Sequence, residues 1–236
     1  MREHEKKVLF ENFRLYAVTD LETPDSNILD KIQAVYAGGA DIVQLRSKVL
    51  PDCVLYDLGL RFRQIADRYR KLFFVNDRVD IAIAVGADGL HVGRGDLPVA
   101  EIRRIAKKSG VFLRIGQSTH TVEQALEAQN EKVDYISIGP IYATPTKPNY
   151  PPVGLEVVRE IAQRIKIPFV CIGGIDCVNV DAVLEAGGHR VAVVRSLFRA
   201  ENVYEATKKL RKRIDSYPAA PAAFQPAAGR GGYCSH

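Results

Sequence analysis

The chain lacks a long apolar run. Its longest, IAIAVGA at 81–87, falls far short of the roughly 20 residues a membrane-spanning helix needs. The charged opening MREHEKK leads into no signal-peptide core. Paired cysteines are missing too: Cys53, Cys171, Cys177 and Cys234 show neither C-x-x-C spacing nor the density of a secreted disulfide scaffold. These absences predict a soluble, cytoplasmic protein with reduced thiols. No Gly/Ser/Pro-rich linker interrupts residues 14–215, so a single domain is expected there, after an N-terminal extension at 1–13. A basic stripe interleaved with aromatics, the footprint of a nucleic-acid surface, is also absent. The formal net charge is +5, but much of the excess sits in KKLRKR at 208–213, on a face read as solvated. The remaining scattered cations suit small anionic ligands better. Residues 216–236 continue as PAAPAAFQPAAGRGGYCSH after Tyr217, with too few large apolar groups to offset the entropy of ordering, and predict a disordered tail.

What is present is a regular alternation. With 236 residues and 47% hydrophobic content the chain can bury a substantial core. RLYAVTD, DIVQLRS, LFFVND, GLHVG, LRIGQS, YISIGP, PFVCIGG and RVAVVRS read as eight strands by their β-branched and aromatic content and closing Gly, Asp or Pro. Amphipathic segments such as NILDKIQAVYAGG and GLEVVREIAQRI separate them. Eight β-then-α units force parallel strands and suffice to close a (β/α)8 TIM barrel. An open doubly wound sheet is the alternative, against which no G-x-G-x-x-G follows the first strand.

In a barrel the chemistry belongs at the C-terminal ends of the strands. Strand 2 ends QLRSK, and side-chain alternation puts Gln44, Arg46 and Lys48 on one face; a solvated strand end is the other reading. Strand 3 ends in Asn76, Asp77 and Arg78, and Asp96 follows strand 4 just before Pro98. Each aspartate could cap a helix. Two carboxylates on adjacent strand ends also suit Mg2+, which takes one or two carboxylates beside substrate phosphates. Ser118 and Thr119 after strand 5 fit a cap or a site, and His120 a surface histidine or a base. Gly173 and Gly174 after strand 7, and VVRS with Ser196 after strand 8, fit either tight turns or a phosphate cradle. Together these ends predict a site for two phosphorylated ligands and a metal. Between strand 6 and its helix lies GPIYATPTKPNYPPVGLE, with five prolines, longer and stiffer than a connection requires.

QLRSK, FFVNDRVDIAIAVGADGLHVGRGDLP, GQSTHT, GPIYATPTKP and CIGGI, in this order, resemble the thiamine phosphate synthase family, from about Tyr16 to Phe198. The resemblance implies a TIM-barrel transferase that joins hydroxymethylpyrimidine diphosphate to hydroxyethylthiazole phosphate and releases pyrophosphate. It implies that Gln44 lies near the pyrimidine, that Arg46, Lys48 and Asn76 contact the diphosphate, and that Asp77 and Asp96 hold Mg2+. Ser118, with Thr144, Thr146 and Lys147 of the T-P-T-K loop, completes the substrate contacts, and Gly174 and Ser196 match the thiazole-phosphate end. Lys48, Asn76, Ser118 and Lys147 are the implied catalytic set. Because diphosphate departure leaves an electron-rich aminopyrimidine methylene, neutralising the leaving group and placing the thiazole nitrogen matter more than a general base. Ser47 and the RGD at 94–96 depart from the family pattern, and Arg94 is expected to add a cation near the metal. A thiazole tautomerase of the same barrel is the alternative, and a non-catalytic phosphate-binding regulator is the alternative of another class. Asp77, Asp96 and the T-P-T-K loop favour the synthase. The proline-rich loop is then expected to be a lid over the barrel mouth, against the alternative of a merely rigid surface loop. Small phosphorylated substrates are the expected partners; the possibility of a homo-oligomer is left open.

Overall fold

The computed structural model describes residues 1–21, 25–145 and 150–219. Its elements run α1 (Glu3–Asn12), β1 (Leu15–Val18), α2 (Ile28–Ala37), β2 (Ile42–Leu45), α3 (Asp52–Tyr69), β3 (Leu72–Asn76), α4 (Val79–Ala84), β4 (Gly89–Val92), α5 (Val99–Lys108), β5 (Arg114–Thr119), α6 (Val122–Asn130), β6 (Tyr135–Ile138), α7 (Gly154–Arg164), β7 (Phe169–Ile172), α8 (Val180–Glu185), β8 (Val191–Val193), α9 (Arg195–Phe198) and α10 (Val203–Asp215). All eight strands are parallel and close into one barrel in chain order. The expected (β/α)8 architecture is therefore present. The last residues of the predicted tail, 220–236, lie outside the described residues.

Period-2 alternation sorts each strand into two faces. Val43, Leu45, Phe73, Val75, Leu90 and Ile115 pack outward under the helices, while Tyr16, Ile42, Leu72, Phe74, Tyr135, Val170 and Ala192 fill the barrel. The large interior rings need small neighbours. A Cβ on Gly116 would lie 2.0 Å from the Tyr135 ring, and one on Gly89 2.6 Å from the Phe74 ring. Glycine here makes room for aromatic volume.

The N-terminal extension proves to be a plug. Glu5 reaches back over the start of α1, accepting from Arg2 N at 2.9 Å and pairing with the Arg2 guanidinium at 3.2 Å. The helix delivers Phe10 and the following Phe13 into the lower barrel, where Phe10 stacks on Phe74 at 6.3 Å and meets Tyr135 edge-on at 6.0 Å. Burying a ring of this size contributes about 1.5–3 kcal/mol. Arg114, on an inward position of β5, lies 5.4 Å over Phe10 and pairs with Glu3 at 2.7 Å.

At the strand starts one device recurs. Asp41, just before β2, accepts from Arg14 N at 2.9 Å; Asp88, before β4, from Phe73 N at 2.9 Å; Asp134, before β6, from Ile115 N at 2.6 Å. Each carboxylate thus ties its strand to the preceding one. Each is also met by cations: Asp41 by Lys71 and Arg211, Asp88 by Lys6 and Arg63, Asp134 by Arg103. Arg211 corrects the expectation that KKLRKR is simply solvated, since its guanidinium also donates to Gly39 O at 2.8 Å and docks α10 onto the barrel.

Candidate active site

The same alternation that fills the barrel below raises polar side chains toward its mouth. Gln44, Asn76, His91 and Ser118 occupy successive inward positions near the ends of β2, β3, β4 and β5, and with Ser137 they line a cavity of about 470 Å3. Its floor is one hydrogen-bonded chain. Gln44 Nε2 donates to Tyr16 Oη at 2.7 Å, Tyr16 and Tyr135 share a bond of 3.1 Å, and Tyr135 Oη lies 2.9 Å from His91 Nδ1. His91 Nε2 then reaches Ser118 Oγ at 3.0 Å. Burial pushes both tyrosine phenols well above their ordinary range, so they serve as neutral hydrogen-bonding groups. Fixing the amide of Gln44 through four other side chains gives a polar floor with a set orientation. His91 was missed from the sequence; its signal was its place two residues after Gly89, on the inward parity of β4.

At the mouth above β2 and β3, charges crowd together. Arg46 pairs with Asp20, and Lys48 with Asp77. Burial raises the Asp77 carboxyl, and Asp96 raises it further while Lys48 opposes the shift. The two aspartates are therefore near enough to interact. Neither caps a helix: the cap positions of α4 and α5 are Arg78 and Pro98, without side-chain cap bonds. Asp96 Oδ2 instead accepts from Gly93 N at 2.7 Å. Asp77 holds a left-handed backbone at φ 60°, with its N–H donated to His91 O at 2.8 Å, a costly conformation for a non-glycine residue that often marks a site. Among the described residues no group of three or more metal-ligating side chains occurs. A pair of carboxylates beside water and substrate oxygens is a donor set that suits Mg2+.

Ser47 and Arg94 have other employments. Ser47 Oγ donates to Leu21 O at 2.6 Å and accepts from Leu50 N at 3.0 Å, bracketing the loops after β1 and β2. Arg94 pairs with Glu127 on α6 at 2.9 Å, 42% exposed, and does not line the cavity. The expected extra cation at the metal is thus neutralised elsewhere. Arg78, too, turns away, to Asp80 at 2.6 Å and Asp52.

The opposite end of the cavity is built from the turns after β6, β7 and β8. Gly139 to Thr144 run alongside the end of β7, with Ile141 N donating to Ile172 O at 2.9 Å and Tyr142 N to Gly173 O at 3.0 Å. Gly173 and Gly174 have φ of 103° and 66°, and a Cβ on either would collide with Pro140 or Tyr142. Asn179 Nδ2 fixes Gly174 O at 2.7 Å. Ser196, Arg195 and Arg199 face this end, and the Ser196 hydroxyl is buried without a partner. His120 lines the wall, bonded to Gly139 O and stacked on Tyr150 at 4.5 Å.

The cavity therefore gathers Gln44, Arg46, Asn76, Ser118, Thr144, Gly174 and Ser196, with Lys48, Asp77 and Asp96 outside its lining. Thr146 and Lys147, in the 146–149 stretch of the expected lid, lie outside the described residues.

A family model described as thiamine monophosphate synthase matches residues 15–197. The thiamine-phosphate synthase of Gloeobacter violaceus is 44% identical over 202 residues, covering 86% of this chain and 58% of the relative. That of Thermus thermophilus is 45% identical over 187 residues, covering 79% and 88%. The chain thus spans under two thirds of the length of the Gloeobacter relative, and 59% of two Nostoc relatives. Among solved structures, thiamine phosphate pyrophosphorylase from Pyrococcus furiosus superposes with a TM-score of 0.80 at 37% identity, covering 88% of this chain and 98% of that one.

Proposed function

Because the chain belongs to the thiamine monophosphate synthase family, we propose that it is a transferase joining hydroxymethylpyrimidine diphosphate to hydroxyethylthiazole phosphate, giving thiamine phosphate and pyrophosphate. The observation that carries the reading is a single cavity with arginines at both ends and an oriented polar floor between them. Two anionic substrates can enter such a site head to head, with their reacting atoms meeting over the floor.

In this reading the pyrimidine lies over Gln44 and Ser118, whose hydrogen-bonding groups orient its ring. Arg46, Lys48 and Asn76 face the diphosphate and offset the charge that grows on the leaving oxygen. Asp77 and Asp96 would hold Mg2+, which when bound adds further positive charge at the diphosphate. The bond from methylene carbon to diphosphate oxygen breaks, its electron pair leaves with pyrophosphate, and the thiazole nitrogen donates its lone pair to that carbon. No proton needs to be removed from the nucleophile. Gly174 and Ser196 hold the thiazole phosphate so that its nitrogen points at the methylene. Lys147 and Thr146 belong to the loop we assign to the diphosphate side, while Thr144 stands with the turns after β6 and β7 at the other end of the cavity. The reading also places the protein in the cytoplasm; no described helix is long and apolar enough to cross a membrane.

Purified protein mixed with both substrates and Mg2+ should yield thiamine phosphate by mass detection, and no product without the metal. Aromatisation of the thiazole carboxylate phosphate, with no thiamine phosphate from the standard pair, would overturn the synthase in favour of a tautomerase.

A further inference from the structure

We propose that Arg195 and Arg199 are specificity-determining residues: a paired clamp that makes the far end of the cavity select a phosphate monoester over the corresponding free alcohol. The inference rests on the reading above, that this end receives the phosphorylated thiazole.

Three arginines line the cavity, and they are not equivalent. Arg46 is paired with Asp20. Arg195 and Arg199 have no ion pair and no side-chain hydrogen bond among the described residues. They stand one helical turn apart, Arg199 N donating to Arg195 O at 3.0 Å, a spacing that places two like charges side by side, where they repel without an anion between them. The Ser196 hydroxyl, between them in sequence, is buried and also lacks a partner. Gly173 and Gly174 complete this end, lining the cavity with backbone that carries no side chain of its own. The acid in the same lining, Asp176, accepts from Val178 N at 2.7 Å and Asn179 N at 3.3 Å through Oδ1, holding its own turn rather than either guanidinium.

Two unpaired guanidiniums and an orphaned hydroxyl form a donor set of net charge about +2. A phosphate monoester near neutral pH carries up to two negative charges and three acceptor oxygens, and the planar guanidinium fork matches such oxygens two at a time. A free alcohol in the same place would leave both cations facing each other and the hydroxyl still unmatched. The clamp therefore acts through discrimination, on top of any contribution the glycine turn makes to binding.

Calorimetric titration of the full chain, with pyrophosphate and Mg2+ present, should compare hydroxyethylthiazole phosphate with hydroxyethylthiazole. Arg195→Gln and Arg199→Gln should each weaken the phosphate ester about 10-fold, and the double variant about 100-fold, as expected for charge-assisted hydrogen bonds. The free alcohol should change less than about two-fold. Arg195→Lys should recover part of the loss, since charge is kept and the fork is not. Arg199 is exposed, so Arg199→Gln and Arg195→Lys carry the comparison even if Arg195→Gln fails to fold. Parallel weakening of ester and alcohol, or unchanged ester binding in the folded variants, overturns the clamp. If the ester binds in an arginine-dependent way while the wild type makes no thiamine phosphate, the clamp stands and the synthase reading falls.

Discussion

At the strand starts, Asp41, Asp88 and Asp134 are each enclosed by backbone N–H groups and cations, whereas at the strand ends burial and the nearby Asp96 raise the Asp77 carboxyl, and Arg195 and Arg199 face a cavity. The two ends of one barrel are built from the same residue types. They differ in how fully the charges are matched within the chain: at the mouth Asp77 has Lys48, but Asp96, Arg195 and Arg199 have no ion pair among the described residues. Matched charges at the bottom hold neighbouring strands and α1 together, so their removal leaves buried partners behind. Unmatched charges at the mouth can be satisfied by a ligand, so their removal should alter binding or turnover more than folding.

This contrast can be broken first at Asp88, whose side chain is fully buried between Lys6 and Arg63. Asp88→Ala should cost about 3–5 kcal/mol by stranding two cations and the Phe73 N–H, seen as a large drop in the urea midpoint; an unchanged midpoint would show that the bottom network is not structural. Asp96→Asn is the counterpart at the mouth. Turnover should fall on the order of 100-fold or more, the scale of losing several kcal/mol of metal-borne charge stabilisation, while the urea midpoint stays the same or rises because a carboxylate repulsion is relieved. Loss of stability without loss of activity would reverse the assignment.

Ser47 lies between these extremes, at the mouth yet hydrogen-bonded within the chain. Ser47→Ala should lower stability by about 1 kcal/mol, the net worth of a hydrogen bond, and kcat should change little if the bracket is its whole role. The smallest effect is expected at Arg94. Since Glu127 neutralises it, Arg94→Gln should leave both substrate KM values within about two-fold, the small change typical of an exposed pair; a selective rise for the pyrimidine diphosphate would return Arg94 to the diphosphate side.

The strands were legible because each buried face repeats over neighbouring residues, as in DIVQL and LFFVN. The barrel's polar mouth was partly legible for the same reason, as QLRSK shows its own alternation. Parity alone could also have found His91, but a histidine inside GLHVG acquires meaning only when Tyr135 and Ser118 stand beside it. The residues after β8 were sorted by motif toward Ser196. The arginines flanking it carried no distinguishing mark until the distribution of counterions was known.

The order of eight β-then-α units, the inward parity of Gln44 and Asn76, and the glycines near the late strand ends were determined by the sequence itself, because period, turn chemistry and chain direction are local properties. Tertiary structure alone decided that residues 3–12 form a plug, that Gly89 and Gly116 are voids for Phe74 and Tyr135, and that Arg46 and Arg94 are matched while Arg195 and Arg199 are not. Ring packing and charge pairing join residues far apart in the chain, and a cation's role depends on which carboxylate closure of the barrel brings within reach.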